Sequence, residues 1–573
     1  MMRIDKRGRK LGLTVEPLNG NVSLARKIPA PITWSGNVAL FDPRPEAIEY
    51  VVKTWPGIEG LDKVAANVAL PKCTPSESFH LKMTPFDHQK DAFKAGWNKR
   101  AFAYLMEMGT GKTYVTLLNA AWLAHKGRIN GLLIIAPEGI HRKWINKEIP
   151  KFWPDGVPYK AAFWRASARK AEREAVDSVL NYMDGVAILA INVEALSSSE
   201  EARKIARGFL KSRVAMCAVD ESTDIKTPGA KRSRQVVNLG KLAKYRRILT
   251  GSPGLPTEIY GQFAFLGKEC LGYDTFEAFK YDFAVMVPVM KRDGKPLMQY
   301  GKEVMTVAKD NKGKPMFRNV ERLRELMAPY CFRVQKTECF DLPPKVPMGV
   351  PVKMTPEQWK HYKEIAKECF TEFHGRGIDA TLAIQKLVRL RQVVSGWLPI
   401  SETEVKPIGA SNRKIERIIR LLDEMQGKVV LWGHFKHECR ALVEAIAKAY
   451  PDEKIARYWG EVDADEREQG YNDFQEGNTR FFVGNPQCGG RGIDLFAASN
   501  MIFMSNGFSW EKREQAEDRI HRNGQEAEKL TYLDVYAEGT IDEYIMSMLH
   551  AKKEICQEVT GDQLIEIAAR PLW

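Results

Sequence analysis

Residues 108–113, with the sequence MGTGKT, constrain the fold of this chain more than any other stretch. Their glycines allow a tight turn whose N–H groups can face bound phosphate, and the helix that follows adds its positive end. Lys112 would then reach the β- and γ-phosphates of a nucleotide, while the Thr113 hydroxyl would bind Mg²⁺. Met106 stands where the strict GxxxxGK[ST] pattern has glycine. The stretch therefore predicts a phosphate-binding loop, with a plain turn before a helix as the alternative.

Length and charge narrow the class of protein. A chain of 573 residues exceeds one compact core and predicts roughly three to four domains. The 86 Lys and Arg against 72 Asp and Glu give a formal net charge of +14, which favours a polyanionic partner such as nucleic acid. The nine cysteines include no CxxC pair, so we expect neither a disulfide framework nor a structural zinc site, and an intracellular setting. The chain has no signal-peptide core and no membrane-spanning apolar run, so we expect a soluble protein.

Four strand-like apolar runs follow the glycine loop: GLLIIAP, VAILAI, VAMCAVDE and RRILTGSP. Continuous β-branched runs that alternate with helical segments indicate a parallel sheet covered on both faces. Asp220 and Glu221 fall at the end of the third run, where open α/β sheets bind ligands. One carboxylate there can hold Mg²⁺ and the other can activate an attacking water. The alternative is an acidic pair that merely opens a surface loop.

A second αβ series begins near Ser411, and its strands are predicted at KVVLWGH, RFFVGN, NMIFMSN and LTYLDVYA. Near its end, EQAEDRIHRNGQ is predicted to be a helix with Gln515, Arg519 and Arg522 on one face. A basic face of this kind is either a solvated surface or a surface that faces phosphates. The two series therefore predict a pair of similar lobes.

We divide the chain into six parts by composition and pattern. They are an N-terminal accessory module (1–80), a first lobe (81–268), an insertion (269–330), a linker with brace helices (331–410), a second lobe (411–560) and a C-terminal tail (561–573). The basic cluster Lys6, Arg7, Arg9 and Lys10 is expected to be a solvated tail rather than a nucleic-acid arm. The insertion carries many Lys and Arg among aromatics and glycines, and is either a nucleic-acid-facing surface or a solvated loop. The linker is expected to begin as an extended Pro-rich crossing.

Ordered motifs between residues 83 and 549 resemble the Swi/Snf-type translocases of the superfamily-two nucleic-acid ATPases. MEMGTGKT is similar to DEMGLGKT, DESTDIKTPGAKRSR to DEGHRIKNPxSK, and LTGSPGLPTEIYGQFAFL to LTGTPIQNNLxELWSLLxFL. PYCFRVQKTECFDLPPK and GGRGIDLFAASNMIFMSNGFSWEKREQAEDRIHRNGQ follow in the same order. The resemblance implies an α/β fold with two tandem RecA-like lobes, each a parallel sheet flanked by helices. A small N-terminal module and helical insertions would accompany them.

The resemblance also implies roles for individual residues, with ATP and Mg²⁺ as cofactors. Gln89 would read adenine, Gly109, Thr110, Gly111, Lys112 and Thr113 would bind phosphates, Thr113 and Asp220 would hold the metal, and Glu221 would activate water. Arg519 and Arg522 would be arginine fingers, Gly492 and Asp494 would couple nucleotide to strand contacts, and residues 250–253 would relay the nucleotide state. Expected nucleic-acid contacts are Arg142, Lys143, Lys226, Lys231, Trp459 and Trp510. The sequence departs from the family at Thr223, where a His is usual, and at Val334, where an Arg is usual.

The expected function is a DNA-stimulated ATPase that translocates on double-stranded or branched DNA, with fork regression or branch migration as the outcome. The alternatives are an ATP-dependent remover of DNA-bound proteins, an RNA-directed helicase and an inactive nucleic-acid-binding scaffold. We expect a monomer in the cytoplasm of a prokaryotic or phage-infected cell, rather than a nuclear protein. Replication or recombination proteins are the expected protein partners.

Overall fold

The computed structural model describes residues 3–7, 10–14, 24–25, 27–28, 32–35, 38–41, 47, 50–51, 54–55, 58, 78–291, 294–310, 315–375, 380–401, 404–486 and 493–560. Gly492 and the predicted tail (561–573) lie outside the described residues.

The N-terminal strands form an antiparallel sheet in the order β1-β2-β4-β3, with β1 Arg3–Arg7, β2 Lys10–Thr14, β3 Ile32–Ser35 and β4 Val38–Phe41. Arg7 of β1 pairs with Lys10 of β2, so these two residues lie in a sheet and not in a tail.

The remaining strands, in chain order, are β5 Ala101–Met106, β6 Gly131–Ala136, β7 Tyr159–Trp164, β8 Val186–Asn192, β9 Ala215–Asp220, β10 Tyr245–Thr250, β11 Met286–Pro288, β12 Met298–Gln299, β13 Lys302–Glu303, β14 Met305–Val307, β15 Cys331–Val334, β16 Lys345–Val352, β17 Trp397–Pro399, β18 Val405–Pro407, β19 Val429–Trp432, β20 Ile455–Tyr458, β21 Phe481–Gly484, β22 Asn500–Phe503 and β23 Leu530–Ala537.

The helices are Asp87–Gly96, Lys112–His125, Ile140–Lys143, a π-helical turn Trp144–Glu148, Ile149–Phe152, Lys170–Leu180, Ala195–Ser198, Glu200–Lys211, Lys231–Gly240, Pro256–Leu266, Phe276–Phe283, Val320–Met327, Lys336–Cys339, Pro356–Gly375, Ala380–Val394, Arg413–Glu424, Lys436–Ala449, Ala464–Glu476, Trp510–Glu517 and Ile541–Thr560. Short 3₁₀ turns cover Ser222–Ile225, Lys268–Cys270 and Ala328–Tyr330. Within the described ranges, none of the helices is both long enough and apolar enough to cross a membrane.

Two parallel sheets confirm the predicted fold class. The first has seven strands in the order β15-β5-β10-β9-β6-β8-β7, and the second has six in the order β16-β23-β22-β19-β21-β20. Strands β5, β6 and β9 are buried along their whole length, as continuous apolar runs between two helical layers require. In the first sheet Leu249 lies opposite Asp220, and Thr250 lies opposite Leu105. This register brings the carboxyl ends of β5, β9 and β10 side by side.

The predicted linker contains one edge strand of each sheet. Strand β15 pairs with β5 of the first sheet, and β16 pairs with β23 of the second. Pro347 and Pro351 made β16 look like an irregular crossing, but an edge strand tolerates proline because one side of it has no ladder partner. Residues 335–344 therefore join the two sheets.

Candidate active site between the two lobes

The glycine loop connects β5 to the helix Lys112–His125. Gly109 and Gly111 have φ values of 85° and 93°, in the left-handed region that favours glycine. At Gly111 an added Cβ would also lie 2.2 Å from Nε2 of Gln89. The two glycines are therefore required by the backbone conformation, and at Gly111 also by the close approach of a neighbouring side chain.

The Lys112 ammonium lies buried at the floor of this loop. It donates to the carbonyl oxygen of Met106 at 2.8 Å and to that of Glu107 at 3.4 Å. Burial lowers the pKa of Lys112, while the carboxylates of Glu221 and Asp220 oppose that shift. The ammonium is thus held by neutral carbonyl groups within the electrostatic reach of the acidic pair.

Gln89 is fixed to the loop by both ends of its amide. Its Oε1 accepts from the backbone N–H of Phe86 at 3.0 Å, and its Nε2 donates to the Thr110 carbonyl at 3.1 Å. An amide oxygen has a second lone pair and an amide nitrogen a second hydrogen, which together match the edge of adenine. The adenine-reading role of Gln89 stays a prediction, and the structure adds a loop-bracing role that the sequence did not indicate.

Asp220 ends β9, and Glu221 begins the following turn. Asp220 accepts hydrogen bonds from the Trp144 indole at 2.8 Å and from the Glu221 backbone at 3.0 Å, and burial raises its pKa. Glu221 has a φ of 49°, which is uncommon for a long side chain and is characteristic of strained functional turns. Its carboxylate accepts from Gln515 of the second lobe at 3.3 Å. The acidic pair therefore faces the junction of the lobes.

The predicted helix with Gln515, Arg519 and Arg522 on one face is wrong, because the helix ends at Glu517. The carbonyl of Arg519 instead accepts from the backbone of Leu495 at 2.8 Å, which draws the chain out of helical geometry. Arg519 is buried, donates to the Ile493 carbonyl at 2.8 Å, and has its pKa lowered to about 9 by burial.

Arg522 reaches the first lobe. Its guanidinium forms an ion pair with Asp494, and its Nε donates to the Asp518 carbonyl at 3.1 Å. Its Cγ lies 4.0 Å from the position that a Cβ on Gly109 would take. An arginine of the second lobe therefore lies directly against the glycine loop of the first.

The donor set fits a nucleotide with Mg²⁺. Mg²⁺ in phosphate sites keeps several waters and takes one or two carboxylates together with substrate oxygens. Asp220 supplies a carboxylate beside the loop, and Thr113 supplies a hydroxyl in the first turn of the helix. Among the described residues no group of three or more His, Cys, Asp or Glu side chains could hold a metal. Bound there, Mg²⁺ would neutralise phosphate charge.

A side-chain relay joins the acidic turn to residues 250–253. Ser222 donates to Oε1 of Gln262 at 2.7 Å, and Nε2 of Gln262 donates to the Pro253 carbonyl at 2.5 Å. Gly251 in turn packs on the glycine loop, since its Cβ position is 3.3 Å from the Met108 nitrogen. Ser222 and Gln262 thus connect the acidic turn, in which Thr223 stands where a His is usual, to residues 250–253, and sequence reasoning missed Gln262.

The predicted nucleic-acid contacts divide into three groups. Trp459 and Trp510 are buried in apolar cores of the second lobe, so their assignment as surface contacts was wrong. Lys226 forms ion pairs with Glu511 at 2.6 Å and Glu258 at 3.0 Å, so it joins the lobes. The remaining three, Arg142, Lys143 and Lys231, lie at or near the surface of the first lobe and stay predictions.

The SNF2-related domain model matches residues 103–395, just over half of the chain, and the model of the helicase conserved C-terminal domain matches residues 413–524. The chain belongs to the SNF2-related family. The glycine loop and the acidic pair lie in the SNF2-related match, and Arg519 and Arg522 lie in the C-terminal match.

Several proteins are similar to this SNF2-related chain. The mouse DNA annealing helicase and endonuclease ZRANB3 is 26% identical over 514 residues, covering 86% of this chain and 42% of ZRANB3. The Bacillus subtilis (strain 168) protein YwqA, provisionally described as an ATP-dependent helicase/translocase, is 22% identical over 522 residues, covering 88% of this chain and 51% of YwqA. The solved structure of the Sulfolobus solfataricus SWI2/SNF2 ATPase core in complex with dsDNA is 20% identical, with a TM-score of 0.36. The match covers 86% of this chain and 96% of the Sulfolobus chain. The chain thus spans about half, or less, of the two full-length relatives.

Gly111→Ala tests the loop geometry. We expect the variant to lose nucleotide binding, because the alanine Cβ enters the space of the Gln89 amide and the positive φ is strained. A fluorescent ATP analogue measures the binding. The matched control is Gly208→Ala in the helix Glu200–Lys211, where an added Cβ meets nothing within 4 Å and should stabilise the protein by about 0.5–1 kcal/mol. Equal nucleotide affinity in the two variants would contradict the assignment.

Proposed function

We propose that this chain is an ATP-dependent double-stranded DNA translocase that remodels forks or junctions. The observation that carries the proposal is the composite site. Lys112, Asp220 and Glu221 come from the first lobe, while Arg522 approaches the same loop from the second. Residues on separate lobes can act on one nucleotide only when the lobes are together, which links hydrolysis to domain motion.

The chemistry follows from the positions of these side chains. Lys112 and the loop N–H groups would hold the phosphates, and Glu221 would orient and deprotonate the attacking water. Arg522 would stabilise the charge that develops on the transferred phosphoryl group. Asp494 and the Asp518 carbonyl hold the Arg522 guanidinium in place beside the loop.

DNA as the nucleic acid is supported by the net charge of +14 and by the names of the relatives, which include a DNA annealing helicase. Contacts dominated by backbone phosphates would make binding tolerant of sequence and sensitive to salt. The remodelling of forks or junctions is the part of the proposal that is supported by the similarity to the annealing helicase ZRANB3. We further propose that the protein acts as a monomer in the cytoplasm of a prokaryotic or phage-infected cell, beside replication or recombination proteins.

Arg522→Ala tests the split site. We expect ATP binding to persist, because Lys112 and the loop are intact, while turnover falls by about 10³- to 10⁵-fold. Titration with a fluorescent ATP analogue and a phosphate-release assay measure the two quantities. Lys529→Ala, at an exposed lysine of the same lobe, serves as the control and should behave as the parent. Undiminished hydrolysis in Arg522→Ala would refute the role of this arginine.

The nucleic-acid substrate is tested by comparing ATP hydrolysis with continuous duplex DNA, single strands, RNA and synthetic four-way junctions. We expect duplex and junction DNA to stimulate most, and the protein to move a junction or regress a fork in an ATP-dependent manner. Greater stimulation by RNA would favour an RNA-directed helicase. Stripping of a bound protein without junction movement would favour a displacement activity, and no hydrolysis under any condition would indicate a scaffold.

Gln262→Leu tests the relay between the acidic turn and residues 250–253. Leucine is close in size but cannot accept from Ser222 or donate to Pro253, so two buried polar groups lose their partner. We expect ATP binding to be retained, while the stimulation of hydrolysis by duplex DNA falls several-fold toward the DNA-free rate. Gln262→Glu keeps an acceptor for Ser222 but buries a carboxylate oxygen against the Pro253 carbonyl, so it should lose the stimulation as well. A parent-like ratio of stimulated to unstimulated rate in Gln262→Leu would contradict the relay.

A further inference from the structure

Between the helices Phe276–Phe283 and Val320–Met327 the chain leaves the first lobe as a small β protrusion, here called the hairpin arm (described residues 285–291, 294–310 and 315–317). Its base is the antiparallel pair β11 and β14, and its outer part is the antiparallel pair β12 and β13. The flanking helices are anchored by Phe279, Phe283, Leu323 and Met327, which are buried in the core of the first lobe. The arm is therefore mounted directly on the lobe that carries the glycine loop.

The tip of the arm has an unusual residue. Gln299 pairs with Lys302, so Tyr300 and Gly301 form a two-residue turn, and both have positive φ, at 49° and 74°. Turns of this type favour Asn, Asp or Gly at the first position, because bulky side chains are strained there. Tyr300 is also 97% exposed, so its ring contributes no burial to the fold. Neither turn geometry nor packing explains a tyrosine at this position.

The surroundings of Tyr300 combine apolar surface with positive charge. Met290, Leu297 and Met298 are exposed on the same arm. Lys291, Lys302 and Lys309 are exposed as well. In the sequence, residues 285–317 contain seven Lys or Arg against three Asp or Glu. A projecting aromatic ring flanked by cations is complementary to a base whose neighbouring phosphates lie within reach of the lysines.

From this arrangement we propose that the hairpin arm binds branched DNA at the branch point, with Tyr300 stacked on an unpaired base and the arm lysines on the flanking phosphates. A continuous duplex offers no free base face, since its bases are stacked on one another. The arm would therefore distinguish a fork or junction from uninterrupted duplex. This assignment rests on the proposed function, because it names the DNA structure on which the translocase acts.

Tyr300→Asn tests the proposal with a substitution that the turn geometry tolerates. Asparagine suits the first position of such a turn, so the thermal unfolding midpoint should be unchanged or raised. We expect the full-length variant, without nucleotide, to bind a synthetic fork roughly 5- to 150-fold more weakly, the range that one base–aromatic stack supports. Affinity for continuous duplex of the same length should be unchanged. Fluorescence anisotropy with end-labelled DNA measures both affinities.

Two further measurements separate stacking from general attraction. A 2-aminopurine at the first unpaired position of the fork should be quenched by the parent and by Tyr300→Trp, but not by Tyr300→Asn. Parent-like fork affinity in Tyr300→Asn, or an equal loss for fork and duplex, would overturn the proposal. Failure of duplex DNA to stimulate hydrolysis by the parent would instead count against the proposed translocase, while the fork-binding comparison would still decide the role of Tyr300.

Discussion

The ion pair between Lys336 and Asp518 is the interaction on which the geometry of the split site depends. The two charged atoms lie 2.6 Å apart, and both side chains are only 1% exposed. Burial alone would raise the pKa of Asp518, but Lys336 and Lys345 hold it below its ordinary value. Each charge also has a second partner, since Asp518 lies 3.1 Å from Lys345 and Lys336 lies 3.8 Å from Glu107. The charge pairing therefore fixes where Asp518, and the chain that follows it, can lie.

From this pair the contacts run back to the nucleotide loop on both sides. The backbone N–H of Lys336 donates to the Glu107 carboxylate at 2.8 Å. The backbone carbonyl of Glu107 is one of the two that accept a hydrogen bond from the Lys112 ammonium. On the other side the Asp518 carbonyl accepts from Arg522, whose stem lies against Gly109. The glycine loop, the segment 335–344 between the sheets and the turn that carries Arg522 are thus connected to one another by a continuous set of contacts. A shift in any one member moves the position of the arginine relative to the loop.

The sequence predicted those features that are encoded locally. Buried strands, the glycine loop and the acid pair at the end of β9 all follow from periodicity and from backbone chemistry. The sequence did not predict pairings between residues that no spacing rule connects. Lys336 pairs with Asp518, 182 residues further along the chain. Gln262 contacts Ser222, 40 residues earlier, and Pro253, 9 residues earlier. The buried Trp510 was misassigned because an aromatic residue beside charged ones reads equally well as surface or core.

The two lysines that hold Asp518 belong to different lobes, and this decides how the lobes can separate. Lys345 begins β16 of the second sheet, so its contact with Asp518 at 3.1 Å lies within one lobe. Lys336 follows β15 of the first sheet and also lies 3.8 Å from Glu107. If the sheets rotated apart and the 2.6 Å pair broke, Asp518 would still have Lys345 and Lys336 would still have Glu107. Because neither charge would then be buried without a counter-ion, such an opening would avoid the full penalty of an unpaired charge. Such a rotation would also withdraw Arg522 from Gly109, so this arrangement of charges is compatible with a nucleotide site that forms only when the lobes are together.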